Sequence, residues 1–461
     1  MSEGAAVRPR PLKRSMRVIG VLLLTLSAVT PASSVFVGVP TVISEAGTGA
    51  LISMLIGALL VAPIACVYAE LSSAFPIAGG EYALVGRTLG PAAGFAMLGL
   101  TVAVNMLAPA VLALGVATNL APIFPGLDAT WTAVAIVAAT TLLGVLHVRT
   151  NAWVTGIFLA LELLALAALA WLGLVHLQRP VGDLLLHPVM LAGGGLHPAT
   201  AAAIGLSVSV SIFVYNGFGG AVYFAEEMHE APRLVARAIL WAGVISVLTV
   251  FLPVAAVLLG APDLKALLAS AHPFADFLDR AGGPWLRTLV GLAVALAIMN
   301  AVLAAVLQNG RFFYSSGRDE AWHPRINAAF LLTHPRFNSP WIATLAAGAS
   351  AMLMCFIGLD RLLVLTGAGL SATYGALCVA AIAGRRTGSS GRAAWRMPLY
   401  PLAPLLGFAG SAYALVAEGL DPDVGRISLI ATAAFLAVSL AYYGAVVRRR
   451  GAWAIRDPEE S

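Results

Sequence analysis

Charge is what this 461-residue chain has least of. Lys and Arg number 27 and Asp and Glu 22, together 11% of the residues, against about 25% in a soluble domain. A soluble chain this long would form about three domains, and these charges are too few to coat them. Disorder is excluded as well, because it needs few apolar residues and 60% here are hydrophobic. Cysteine is scarce: Cys66, Cys355 and Cys378 all lie in apolar runs with no CxxC pair, where Cys acts as a small hydrophobe. The 8 histidines fall at the ends of apolar runs or between them, and His187 and His197 stand too far apart for a zinc motif. GxSxG, HExxH and phosphate-loop motifs are missing. Gly367–Ala372 matches a dinucleotide fingerprint as a string, but it lies in an apolar run with no strand before it, so small-residue helix packing explains it. Neither an enzyme, a metal nor a cofactor is expected.

What is abundant is uncharged length. No charge occurs between Arg17 and Glu45, and Asp128 is the one charge from Thr88 to Leu146. Mean hydropathy is +0.90. A helix crossing about 30 Å of hydrocarbon needs about 20 apolar residues, and in lipid only helices and closed barrels satisfy the backbone. Barrel strands alternate polar and apolar positions; these runs are apolar all round. The sequence therefore predicts an all-α membrane protein of twelve spans: 17–44, 48–69, 89–118, 131–148, 152–177, 200–225, 236–260, 286–314, 340–358, 360–383, 399–417 and 425–447. The first is too long for a signal peptide, whose apolar core is about 7–15 residues.

Basic residues orient the spans. With the N-terminus in the cytoplasm, 21 of the 27 Lys and Arg fall inside. They include Arg8, Arg10, Arg149, Arg385 and the run Arg448–Arg450, and both termini are expected in the cytoplasm of a bacterial inner-membrane protein. The pI near 9.3 then reflects topology, and nucleic acid is not an expected partner.

Two spans carry damage. The first reads Thr30-Pro31-Ala32-Ser33-Ser34 through its middle, and Pro31 removes a helix hydrogen bond. The sixth reads Phe213-Val214-Tyr215-Asn216-Gly217-Phe218-Gly219-Gly220, whose three glycines cost roughly 3 kcal/mol of helix propensity relative to alanine. Pro63, Pro109 and Pro253 also fall within spans, so one kink says little. Two breaks opening spans 1–5 and 6–10 say more. Each set has an odd number of spans, so a shared architecture makes them an inverted 5+5 repeat, the layout of secondary transporters with a midplane site. The expected organisation is a tail over 1–16, a first five-helix set over 17–177, an external loop over 178–199, a second set over 200–384, helices 11 and 12 over 385–447, and a tail over 448–461.

At these residues the chain resembles the amino acid–polyamine–organocation transporter superfamily, with its LeuT-type fold. Ala32-Ser33-Ser34-Val35-Phe36 is similar to the family's Gly-Ser-Gly-Ile-Phe. Ala69-Glu70-Leu71 with Pro76-Ile77-Ala78-Gly79-Gly80-Glu81-Tyr82 follows span 2, and Gly217-Phe218 with Ala225-Glu226-Glu227 and Pro232-Arg233 follows the family pattern around span 6. Asn309, Arg311, Tyr314, Gly317-Arg318-Asp319 and His323-Pro324 resemble its cytoplasmic loop after span 8. Two departures stand out: Ala32 and Ser34 replace both glycines of the first motif, and Gly219 replaces an acid frequent in span 6, which argues against arginine or polyamine substrates.

The resemblance implies a permease for amino acids working by alternating access, coupled to protons or to exchange. A half-helix starting near Ser34 would offer the N–H groups of Ser34, Val35 and Phe36 to a carboxylate. Carbonyls of Val214, Tyr215 and Asn216 would suit an ammonium. Ala32, Ser33, Gly217 and Gly219 complete the backbone cradle. Phe213 falls where relatives place an aromatic gate, or is core packing. Asn105 and Asn300 line the pocket or bridge helices. Glu162, midway between Trp153 and Trp171, which read as interfacial anchors, lies near the midplane. Intramembrane acids are functional candidates by default. Glu162 is either a proton-coupling group, replacing the sodium that relatives hold between spans 1, 5 and 8, or a neutral acid bonded to a neighbouring helix. Glu70, Glu226, Glu227, Arg311, Arg318 and Asp319 are expected to form a cytoplasmic latch, or to be solvated loop charge. The alternatives are a polyamine or other organocation transporter, an ion channel, for which the spans hold few polar residues, and a sensor, for which the tails are short.

Overall fold

The computed structural model describes residues 12–120, 124, 126–146, 148–420, 425–451 and 453–457. Arg8, Arg10 and the side chain of Arg149 lie outside what is described. Helix makes up 79% of the described residues. In order the helices are α1 (Val18–Val29), α2 (Pro31–Ser33), α3 (Val39–Ala46), α4 (Ala50–Ala74), α5 (Glu81–Leu89), α6 (Pro91–Leu120), α7 (Ala129–Gly144), α8 (Val148–Val175) and α9 (Val181–Leu186). After a hairpin come α10 (Ala201–Val214), α11 (Ala231–Gly260), α12 (Leu264–Leu268), α13 (Pro273–Arg318), α14 (Pro324–Phe330), α15 (Trp341–Met354), α16 (Leu359–Thr387), α17 (Leu402–Leu420) and α18 (Gly425–Tyr442). Among the described residues nine stretches are long and apolar enough to cross a membrane; one, Val18–Ala74, runs 57 residues. Ala129–Gly144 and Trp341–Ile357 are shorter apolar helices.

The prolines separate into two kinds. Pro63, Pro109 and Pro253 sit inside α4, α6 and α11 without ending them. Pro31 does interrupt. The residue before a proline is pushed out of the α region, and Thr30 adopts a left-handed conformation (φ 45°, ψ 70°) between α1 and α2. Pro31 then opens α2, where its missing N–H costs nothing. A π-turn, Ser34–Gly38, follows. Pro40 cannot donate to the carbonyl four residues before it, and the wider turn accommodates this.

Several short elements lie outside the expected spans, α12 and α14 among them. α5 is a short helix between α4 and α6. The expected external loop, 178–199, contains α9 and an antiparallel hairpin, β1 (Val189–Ala192) with β2 (Gly195–Pro198), pairing Met190 with His197. Val189 N–H donates to Thr48 Oγ1 (2.8 Å), tying the hairpin to the turn before α4. α13 begins well before the expected 286; Gly283 (φ 81°, ψ 173°) divides it into a short helix and a long one that starts at Pro284.

α1 packs against α8, α11 and α13, and α4 against α10, α11 and α17. The outside of the bundle is apolar. Trp153 and Trp171, read as interfacial anchors, are 73% and 68% exposed, as aromatic residues at a lipid boundary are.

Candidate functional site

The two interruptions touch. Gly217 (φ 110°) ends the break after α10, and a Cβ there would lie 2.8 Å from Val29 Cα, the last residue of α1. Only glycine fits that approach and that conformation. A Cβ on Gly38 would meet Val214 Cγ1 at 2.6 Å. The backbones of the first and sixth expected spans are thus interrupted side by side. Ser33, Ser34, Asn216 and Gly217 are part-exposed there, while Ala32, Val35, Val214 and Tyr215 are buried.

The first break begins earlier than Ser34. The helix restarts at Pro31, and Ser34 N–H already donates to Thr30 O (3.1 Å). The first N–H of the new helix end belongs to Ala32, and it donates to Glu162 Oε1 (2.7 Å). Thr30 Oγ1 reaches the same oxygen (3.4 Å). Glu162, on α8 and 0% exposed, therefore caps a helix to which it does not belong. A helix N-terminus carries about half a positive charge, which favours that carboxylate. Glu162 Oε2 is buried without a partner.

At the second break, Asn216 N–H donates to Phe213 O (3.0 Å). Tyr215 O accepts from Ser246 Oγ on α11 (3.3 Å), and Asn216 Oδ1 from Tyr374 OH on α16 (2.5 Å). A 3-10 segment, Phe218–Glu227, carries the chain on, with Gly219 buried against Tyr68. Asn300 bridges helices: its Nδ2 donates to Ser27 Oγ (2.9 Å) on α1 and to Thr155 O (3.2 Å) on α8. Asn105 Nδ2 points to Tyr223 OH (3.5 Å), and its carbonyl accepts from Asn309 Nδ2 (2.5 Å).

On one side of the breaks a cavity of about 650 Å³ opens, lined by Phe36, Val37 and Pro40 after the first break, by Leu278 and Arg287 of α13, and by Leu359 among others. That volume suits a small ligand. The lining is mostly apolar; among the described residues it carries the cation Arg287 and the imidazole of His272. Phe36 meets Phe274 of α13 with centroids 5.8 Å apart. Phe213, considered as a gate, is 42% exposed and does not line this cavity.

On the other side the bundle is sealed by buried charge. Arg311 Nε binds Glu227 Oε1 (2.6 Å), with its guanidinium 5.0 Å from the centre of the Phe224 ring. Arg318 Nη1 binds Glu226 Oε1 (2.7 Å), which also accepts from Ala78 N–H (2.9 Å). Asp319 accepts from Tyr82 OH (2.8 Å) and from Arg456 N–H (3.0 Å). Burial pushes its carboxyl up to about 6 against the pull of Arg318. Glu70 takes two bonds from Arg385 (2.6 and 2.7 Å) and one from Met397 N–H (2.7 Å). Both described chain ends join the seal. Ser15 and Met16 N–H donate to Glu227 O (2.9 Å each), and Trp453 packs on Tyr82 and Phe95. Of the six expected latch residues, Arg311 pairs with Glu227 and Arg318 lies against Glu226 and Asp319, whereas Glu70 pairs outside the set, with Arg385. Sequence reasoning missed Arg385, which looked like one more loop cation, and Glu81 with its tyrosines, which stood in the sequence only as letters of a motif.

A multi-spanning helical bundle with paired breaks, a cavity on one side and a charged seal on the other defines a membrane transporter rather than an enzyme. The model of the amino acid permease family matches residues 17–446, and the chain belongs to that family. It is similar to an uncharacterized transporter of Mycobacterium tuberculosis (27% identity, covering 96% of this chain and 92% of the relative). It is also similar to the branched-chain amino acid permeases of Bacillus subtilis (23%; 94% and 93%) and Lactococcus lactis (27%; 88% and 88%).

Proposed function

We propose that the chain is a secondary permease for neutral, apolar amino acids, working by alternating access in a bacterial cytoplasmic membrane with both termini inside. Its twelve crossings form two inverted five-helix sets, with α17 and α18 as an addition. The contact between the two broken backbones carries this reading, because irregular backbone survives at membrane depth only where it lines a cavity or is buried in protein. The arginine bias of the loops supports a cytoplasmic position for the sealed end. The seal and the opposite cavity are then the closed inner face and open outer face of one stage of the cycle.

The substrate's carboxylate would meet the half-helix end at Ser33, Ser34 and Val35, and its ammonium the carbonyls at Val214 and Asn216. A mostly apolar lining that carries Arg287 and, among the described residues, no acid favours a carboxylate with a hydrophobic side chain over an organocation, as do relatives named branched-chain permeases. Glu162 would carry the coupled proton: neutral, it can donate through an oxygen while accepting from Ala32, and ionised, it is stabilised by the helix end.

Uptake of labelled leucine into proteoliposomes tests this. Competition by isoleucine and valine but not by arginine or putrescine, with stimulation by an inward proton gradient, is expected. Preferential competition by arginine or putrescine would overturn the substrate reading, and a conductance without saturable uptake would point to a channel.

A further inference from the structure

At the sealed end Glu70, Glu226, Glu227 and Asp319 are buried, and each lies against an arginine. Glu81, at the start of α5, is buried beside them and, among the described residues, has no ion-pair partner. Its oxygens are held by phenols: Tyr68 OH from α4 donates to Oε1 (3.0 Å), and Tyr223 OH from the 3-10 segment to Oε2. The Tyr68 ring meets Tyr374 edge-on at 6.0 Å, and Tyr374 OH bonds Asn216 in the second break. Two hydrogen bonds and one ring contact therefore connect the acid to the break.

A buried carboxylate lacking a cation is costly when ionised, and two phenols offset only part of that. A neutral carboxyl is far cheaper, since its own O–H finds a phenol oxygen to donate to. We propose that Glu81 is a proton-binding site of the transport cycle. It takes up a proton as the cytoplasmic face closes over it and releases it to cytoplasmic water when α5 and the 3-10 segment part. The one bond made and broken is the carboxyl O–H, and the proton leaves to water. The proposal rests on the alternating-access reading, but on neither the substrate nor Glu162.

Burial holds Glu81 above the ordinary carboxylate range in the closed face, with the phenol bonds opposing. Closing therefore binds a proton. Closure is fully favoured below the ordinary carboxylate pKa, and is lost as pH rises from there through the raised value of the closed face, by up to tenfold per pH unit. The groups around Glu81 are Tyr68 on α4, Tyr223 on the 3-10 segment, Asn105 on α6 and Tyr374 on α16. On α13 and at its end are the Arg311–Glu227 pair, and Arg318 with Glu226 and Asp319. Of these Asp319, at about 6, also titrates near neutrality.

Hydrogen–deuterium exchange of the full chain in lipid nanodiscs, corrected for intrinsic rates, reads opening through peptides over 78–89 and 218–230 from pH 5 to 8.5. Wild-type protection is expected to fall as pH rises. Glu81→Gln should keep only the part of the fall that Asp319 contributes around its value of about 6, the double variant Glu81→Gln/Asp319→Asn should stay high and flat, and Asp319→Asn alone should retain the fall. Tyr223→Phe removes a donor to the ionised form and should move the fall to higher pH; it decides the matter if Glu81→Gln does not fold. An unchanged fall in Glu81→Gln, loss of the fall in Asp319→Asn, uniformly lowered protection in Glu81→Gln, or no shift in Tyr223→Phe would each overturn the assignment.

Discussion

Removing Glu227 from the seal isolates what the seal contributes. Arg311 is 1% exposed and binds Glu227 at 2.6 Å. Deleting one partner of a buried pair costs about 3–5 kcal/mol, because the other charge is left buried and uncompensated. Arg311 keeps its bond to Leu307 O (2.9 Å) and its place over the Phe224 ring, so the low end applies, about 3 kcal/mol. If opening hydrates the guanidinium, Glu227→Gln penalises the closed face alone and raises the open fraction by about 100-fold. Ser72 offers a reporter. It is buried near the end of α4, and its Oγ has no partner, so Ser72→Cys in a background lacking Cys66, Cys355 and Cys378 loses no hydrogen bond. Labelling by a membrane-impermeant thiol reagent from the cytoplasmic side should speed up about 100-fold, or until the open face dominates. Arg311→Met should do the same. The double variant, which leaves no orphan charge, should label within about tenfold of wild type. A double variant labelled as fast as the two single effects combined would refute the reasoning.

Glu162→Gln retains an oxygen for Ala32 N–H, so it should fold and bind leucine while losing stimulation by a proton gradient; unaltered proton-driven uptake would remove Glu162 from coupling. Glu162→Ala also loses the cap, and should cost about 1 kcal/mol further in thermal unfolding. Gly217→Ala places a Cβ 2.8 Å from Val29 Cα at a φ of 110°. With backbone on both sides it should destabilise by about 2 kcal/mol or more and abolish uptake, and normal uptake at an unchanged Tm would count against the contact. Arg287→Gln removes a cation of the cavity lining and should raise the KM for leucine several-fold at low salt, less at high salt. A KM unmoved at either salt would show that Arg287 does not steer the substrate.

That the chain is a bundle of long apolar helices was legible because lipid imposes a length on apolar runs, and a gap between charges shows that length directly. α5, α9 and the hairpin were not, because short elements over the membrane ends leave no such run. The second break was readable from its glycine cluster, yet only Gly217 uses a positive φ; Gly219 and Gly220 continue a 3-10 segment. The first break was readable as a break but displaced. Resemblance drew attention to Ser34, which stands where relatives have glycine, whereas local sterics act at the residue before a proline, and Thr30 yields. Partnerships were the least legible part. That Ala32 N–H meets Glu162, 130 positions away, follows from how α1 and α8 pack, not from any local pattern. The outcome separates the buried acids into two kinds. Those with an arginine form a seal whose worth is electrostatic and whose parts fail together. Among the described residues Glu162 and Glu81 have none, and are held instead by an N–H group or by phenols. An ionised group in that position persists only if something neutralises it at some stage, and the cheapest agent in a chain with so little charge of its own is a proton.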